Sequence, residues 1–252
     1  MSVWGVIAFV GVGFSLGLLG GGGAILAVPV LVHLFAIPIT MAVPMSLPVV
    51  GTAAAVGAFA RWRQGHLRLR AAALFAVFAM TAAFAAARLG AGIGDQPRTI
   101  LLAVVMLAAA TAMWLRSRGG PANAPGAPVA TPRPVVVIPA AIVVGTLTGL
   151  VGVGGGFLIV PALTGFMGVA MAEATATSLA VIALNTAAAG AGYIGRVHFD
   201  PLLTAVVTIA ALVGMVAGTL LAPRIRAATL SRVFALLLVL VGTFMLWQDL
   251  KR

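Results

Sequence analysis

The sequence predicts an all-α, polytopic membrane protein built from two homologous halves, and three observations predict it. Hydrophobic residues make up 62% of the 252-residue chain, charged residues only 8%, and mean hydropathy is +1.20. So little polar surface cannot cover a water-soluble globule. The apolar residues also fall in runs that suit membrane spans of about 20 residues. Finally, the chain writes one stretch twice. Residues 13–31, GFSLGLLGGGGAILAVPVL, return 132 positions later as residues 145–163, GTLTGLVGVGGGFLIVPAL, so that Gly13, Gly17, Gly20, Gly22, Gly23, Leu26, Val28, Pro29 and Leu31 find identical partners without a gap.

The first apolar run covers residues 3–31. It holds no basic region ahead of its apolar residues, which reads as a retained span and not as a cleaved signal. Four consecutive glycines, Gly20, Gly21, Gly22 and Gly23, interrupt it. Each glycine weakens a helix by about 1 kcal/mol, so the helix loosens there. In lipid, loosened backbone is tolerated only where protein covers it or where it lines a polar cavity. The second half repeats the break at Gly152, Gly154, Gly155 and Gly156.

A second span at 42–60 carries Pro44, Pro48, Ser46 and Thr52, and its counterpart at 174–193 carries Thr175, Thr177, Ser178, Asn185 and Thr186. Third and seventh spans follow at 71–89 and 201–222, and fourth and eighth at 99–115 and 230–248. Between the halves, residues 116–134 read RSRGGPANAPGAPVATPRP, a linker rich in glycine, proline and alanine. The organisation is therefore a first repeat at 1–115, a linker at 116–134 and a second repeat at 135–252.

The net charge of +11 comes from short basic clusters between apolar runs, which points to control of membrane topology and contact with anionic lipid and away from nucleic acid. Eight spans, four in each half, place 10 basic residues on the side of both termini against 5 opposite. If residues 24–37 cross as well, the halves are inverted, and the loops at 61–70, 116–133 and 224–232 again hold 10 against 5. The shortness of 24–37 favours eight spans, with a re-entrant arm as the other reading.

The paired glycine motifs ending in Val-Pro, the Ser-Leu in the following helix (Ser46-Leu47 and Ser178-Leu179), the basic loop RWRQGHLRLR and the 4+4 layout resemble the TauE/SafE family of sulfite and organosulfonate exporters. What the resemblance implies is a permease of the cytoplasmic membrane that moves a small, sulfur-containing anion such as sulfite or sulfoacetate, with proton coupling. The chain departs from exact symmetry where Gly21 and Ala24 stand opposite Val153 and Gly156, and where Pro44 and Pro48 stand opposite Ala176 and Ala180.

Broken helices in each half are how many secondary transporters build a midplane site. Exposed N–H groups at a helix start suit an anion without a buried cation. The expected substrate contacts are therefore Gly20–Gly23 and Gly152, Gly154, Gly155 and Gly156, helped by Ser46, Thr52, Ser178 and Asn185. The bland alternative is close helix packing, with the hydroxyls bonded back onto their own helices and Asn185 as interhelical glue. Glu173 and His33 are candidates for a coupling proton, against plain interfacial roles.

Other chemistries find little support. The glycines lack the Gly-Lys-Ser/Thr of a phosphate loop, no metal-ligand spacing occurs, no cofactor motif is present, and four acidic residues make a two-carboxylate enzyme site improbable. An intramembrane hydrolase would have only Ser46 or Ser178 with His33 to work with, and a non-transporting membrane scaffold is the stronger rival. The absence of cysteine excludes a disulfide framework, and homodimerisation is left open by the sequence.

Overall fold

The computed structural model describes residues 3–118, 134–152, 154–156, 158–160, 163, 171–197, 200–222, 236, 238–245 and 247. Linker residues 119–133 and the basic residues Arg224, Arg226 and Arg232 lie outside the described residues. Among the described residues every regular element is helical: α1 (Val3–Leu19), a 3-10 segment (Gly22–Leu26), α2 (Ala27–Leu34), α3 (Ile39–Arg63), α4 (Leu69–Gly90), α5 (Asp95–Arg118), α6 (Pro134–Val151), α7 (Met171–Tyr193) and α8 (Pro201–Leu221). The stretches Ile39–Arg63, Leu69–Gly90, Glu173–Tyr193 and Pro201–Leu221 are long and apolar enough to cross a membrane, and Val3–Leu19, Gly22–Leu34 and Val137–Val151 are shorter apolar helices. Helix α5 runs past the expected end of its span, to Arg118.

Small residues decide which helices touch. A side chain at Gly13 would run into the backbone of Ala211, and one at Gly145 into that of Ala79. Gly17 lies against Met215, Gly218 and Thr219, and Gly149 against Ala83 and Ala87. These contacts are the same contact made twice, since 13 and 145, 79 and 211, 83 and 215, and 87 and 219 are each 132 apart. In lipid, where apolar side chains gain little from leaving the solvent, such close backbone approach supplies the packing. The outer faces of the same helices expose Ile7, Val77, Ile209 and Leu220, as a lipid environment requires.

The contacts also fix direction. Helix α1 runs parallel to α8, because Gly13 meets Ala211 and Gly17 meets Met215 and Gly218. Helix α6 runs parallel to α4, with Gly145 at Ala79 and Gly149 at Ala83. Helices α3 and α7 are antiparallel, since Gly51 faces Thr186 and Gly57 faces Leu179. Helix α4 parallels α7, with the Arg68 N–H on Thr177 Oγ1 at one end and Gly192 against Phe84 and Ala87 at the other. Short turns reverse α3 into α4 and α7 into α8. Helices α1, α3 and α8 therefore point one way and α4, α6 and α7 the other.

This corrects the expectation of a first span that continues through its glycines. After Gly21 the chain turns back along α1: Gly23 packs on Ser15 and Leu16, Gly5 lies against the Phe35 ring, and the rings of Phe9 and Phe35 are 6.3 Å apart. Residues 3–35 form a helical hairpin with a buried tip, and α3 starts on the face where α1 started. The re-entrant reading of residues 24–37 describes this arm, and α6, the sequence repeat of α1, enters from the opposite face.

Candidate functional site

The glycine breaks shape the centre of the molecule. Gly20 and Gly21 take φ of 66° and 133°, and Gly152, Gly154 and Gly155 take 73°, 67° and 67°, all backbone values that side chains resist. Gly20, Gly21, Gly22, Gly23, Gly152, Gly154, Gly155 and Gly156 are all buried. The two breaks meet: a side chain at Gly21 would come within 2.9 Å of Gly156 Cα, and one at Gly154 within 3.2 Å of Ala24 Cβ. Each break is followed by a helical start, the 3-10 segment at Gly22 in one half and, in the other, N–H groups of Leu158 and Ile159 donating to Gly155 O. Two helix N-termini, with their partial positive charge, are thereby brought together inside the protein.

The hydroxyls expected at the site serve the breaks directly. Ser178 Oγ donates to Gly20 O and stands 2.9 Å from Thr175 O. Ser46 Oγ stands 3.1 Å from Gly152 O and 2.7 Å from Val43 O. Each serine and both of its partners repeat at the 132-residue offset. Each serine thus satisfies a carbonyl freed by the broken helix of the other half. Asn185 Nδ2 donates to Thr148 Oγ1 at 3.0 Å, while Asn185 Oδ1 is buried without an acceptor's partner among the described residues. Thr148 also borders Gly155, so this amide reaches the second break through one hydroxyl.

Among the described residues the two breaks pack directly against each other at Gly21 and Gly156. A cavity of about 470 Å³ lies instead between α3 and α7, running from Ile194 and Val197 in the α7–α8 turn down to Ala55 and Ala183 near the helix middles. Thr52 and Thr186 are its hydroxyl-bearing walls, with Pro44, Pro48, Gly51, Gly190 and Tyr193 beside them. Thr52 Oγ1 is 2.7 Å from Pro48 O, so the proline-rich wall is stabilised by hydroxyl bonding to its own helix. Val50 and Ile182, themselves 132 apart and each next in sequence to a cavity residue, Gly51 and Ala183, pack close to Gly154. Of the expected site residues, then, Thr52 lines the cavity, the glycines meet behind its floor, Ser46 and Ser178 brace the glycines, and Asn185 reaches Gly155 through Thr148.

The coupling candidates lie elsewhere. Glu173 Oε2 is 2.9 Å from Arg68 Nε, in an ion pair that is partly open to solvent. His33 packs edge-on against Phe244 with ring centroids 5.3 Å apart, far along the arm from the break. Two residues that composition and spacing did not single out prove structural neighbours of the cavity. Tyr193, in its wall, donates from its hydroxyl to Gly149 O at 2.8 Å, and the guanidinium of buried Arg98 lies 5.9 Å from the Tyr193 ring centroid. At the equivalent place in the first half, Arg61 Nη2 donates to Gly17 O at 3.0 Å. Only the count of acidic residues against basic ones hinted that an arginine would be buried without a carboxylate.

Residues 5–245 match the family described as Sulfite exporter TauE/SafE. The chain belongs to the sulfite exporter TauE/SafE family. Two relatives, each named a probable membrane transporter protein, come from Xylella fastidiosa: one from strain 9a5c is 31% identical and one from strain Temecula1 / ATCC 700964 is 30% identical, in both cases over 99% of this chain and 98% of the relative. No solved structure matches the chain. The TauE/SafE assignment covers both glycine breaks, the α3–α7 cavity and the serine braces, so the site belongs to the family's matched region.

Proposed function

We propose that the protein is a multi-pass permease of the cytoplasmic membrane that exports a small sulfur-containing anion, sulfite or an organosulfonate such as sulfoacetate, with coupling to protons. The observation that carries this reading is the meeting of Gly21 and Gly156, which places two helix starts from oppositely directed hairpins against each other in the buried centre. Half-helix N-termini near a midplane attract an anion without a charged side chain, and paired interrupted helices are a transporter device. The α3–α7 cavity is the approach, and Val50 with Ile182 forms the barrier the anion passes to reach the breaks. The two-repeat layout is retained, but in this reading each glycine-broken first helix is a re-entrant hairpin, so each half crosses the membrane three times and the halves are inverted.

Orientation follows from charge. Arg61, Arg63, Arg68 and Arg70 flank the turn between α3 and α4, on the face opposite to the start of α1, and Arg116 and Arg118 end α5 on that same face. The positive-inside tendency makes this the cytoplasmic face. The cavity mouth, at Ile194 and Val197, then faces away from the cytoplasm, as expected for an exporter open to the release side. The name of the family and of the relatives supports transport and a sulfur anion; the proton partner rests on the resemblance.

Uptake of radiolabelled sulfite by inside-out vesicles carrying the protein tests the reading. Saturable uptake, absent from vesicles without the protein and enhanced by an imposed pH gradient, is the expected result. Sulfite accumulation equal in the two vesicle preparations would leave the scaffold reading in possession.

A further inference from the structure

We infer that Arg98 is a binding subsite for an oxyanion at the mouth of the α3–α7 cavity, with Tyr193 as the leaf that separates it from the cavity. The inference rests on the permease reading for the identity of the anion, but its geometry stands apart. Arg98 sits in the first turn of α5 and is only 1% exposed. Its Nη2 donates to Gly90 O, the end of α4, while Nε and Nη1 are buried and have no acceptor among the described residues. A buried guanidinium without its acceptors costs several kcal/mol, because the desolvated charge and each unused N–H go unanswered. Among the described residues it meets the Gly90 carbonyl and the Tyr193 side chain, and no carboxylate. Asp95, one turn earlier, accepts from the Thr40 N–H; Glu173 pairs with Arg68 at the other face; Asp200 caps α8.

Nε–H lies on the Nη2 side of the guanidinium, away from Nη1, so the two idle nitrogens each offer a separate charge-assisted hydrogen bond to an oxygen of a sulfite or sulfonate. Access is set by Tyr193. Its ring lies against Arg98 on one side and lines the cavity on the other, and the hydroxyl bond to Gly149 O holds it there. A rotation of this ring opens the guanidinium to the cavity while Gly90 keeps the arginine in place. The occupant is thus a small, singly or doubly charged oxyanion; a lipid phosphate has the same chemistry and is separated from it by experiment.

Tyr193 is the only tyrosine in the chain, so 3-fluorotyrosine labelling of the full protein in nanodiscs gives a single ¹⁹F resonance. Titration with sulfite or methanesulfonate is expected to move this resonance saturably, and dimethyl sulfone, the neutral isostere of methanesulfonate, is expected not to. Arg98→Gln, which keeps a donor near Gly90 O, is expected to abolish the shift and to raise the KM for sulfite about tenfold or more, with the melting temperature of the unliganded protein not lowered. Arg98→Lys retains part of both effects. An unmoved wild-type resonance under saturating flux overturns the inference, as does an Arg98→Gln KM within about twofold of wild type. A resonance that moves only on removal of lipid assigns the site to a headgroup and also overturns it. If Arg98→Gln does not fold, the wild-type titration alone decides. A shift without any sulfite flux refutes the permease reading and leaves the subsite standing.

Discussion

The Ser178 hydroxyl donates a hydrogen bond to the carbonyl of Gly20, a residue 158 positions away on the broken helix of the other half. Its twin, Ser46, does the same for Gly152 at 3.1 Å. A carbonyl freed by a helix break and sealed from water needs a donor, and here each half supplies the donor for the other. Replacing either serine with alanine leaves a buried acceptor unpaired. Ser46→Ala and Ser178→Ala are each expected to destabilise the fold by about 1–3 kcal/mol, read as a lowered melting temperature in detergent or nanodiscs. Similar losses from the two variants support reciprocal bracing; a silent pair contradicts it.

The interfaces between α1 and α8 and between α6 and α4 leave no room for a methyl group. Gly13→Ala and Gly145→Ala would each drive Cβ into a facing backbone carbonyl, at Ala211 and Ala79. Because backbone cannot swing aside as a side chain can, both variants are expected to lose about 2 kcal/mol or more, or to fail to assemble. Gly11→Ala, with open space around its Cβ position, is expected to be neutral or slightly stabilising in the same melting assay.

The cavity between α3 and α7 is the proposed approach to the breaks. Ala187 lies on its wall and is exposed to it. Ala187→Phe is expected to occupy much of the space and to reduce sulfite flux about tenfold or more without lowering the melting temperature. Undiminished flux would place the route elsewhere.

Glu173 and Arg68 form an ion pair open to solvent, of a kind worth about 0–1 kcal/mol. Glu173→Gln is therefore expected to change stability by less than about 1 kcal/mol and to retain pH-gradient-driven transport. Loss of coupling with flux preserved would instead make Glu173 the proton carrier.

Much of this molecule is legible in its residues. The 132-residue duplication foretells that contacts come in pairs, and Gly13, Gly17, Gly145 and Gly149 do mark the closest helix approaches. The glycines at 20–23 and 152–156 foretell broken helices, and their positive φ values bear that out. What the sequence left undecided is direction. Both topologies divide the basic residues equally, and nothing local in GGGG says whether the helix resumes ahead or turns back; that depends on Gly23 finding Ser15 and Leu16. Thr52 is at the cavity, but the cavity itself arises where Pro44, Pro48, Gly51 and Gly190 leave α3 and α7 thin, a property of two helices together and not of either. Arg98 escaped notice because its partner is a carbonyl and a ring, neither of which leaves a mark in spacing.

The proposed topology has each half begin with a hairpin that enters and leaves on one face, so that the halves are opposed. The chain has no cysteine, which makes single-cysteine labelling direct. Trp4, exposed at the start of α1, and His66, in the turn between α3 and α4, are the two positions to replace. A membrane-impermeant maleimide applied to intact cells is expected to label Trp4→Cys and to spare His66→Cys, with the reverse in inside-out vesicles. Labelling of both positions from the same face would mean that two full spans separate them instead of one, and the hairpin and the inversion would fall together.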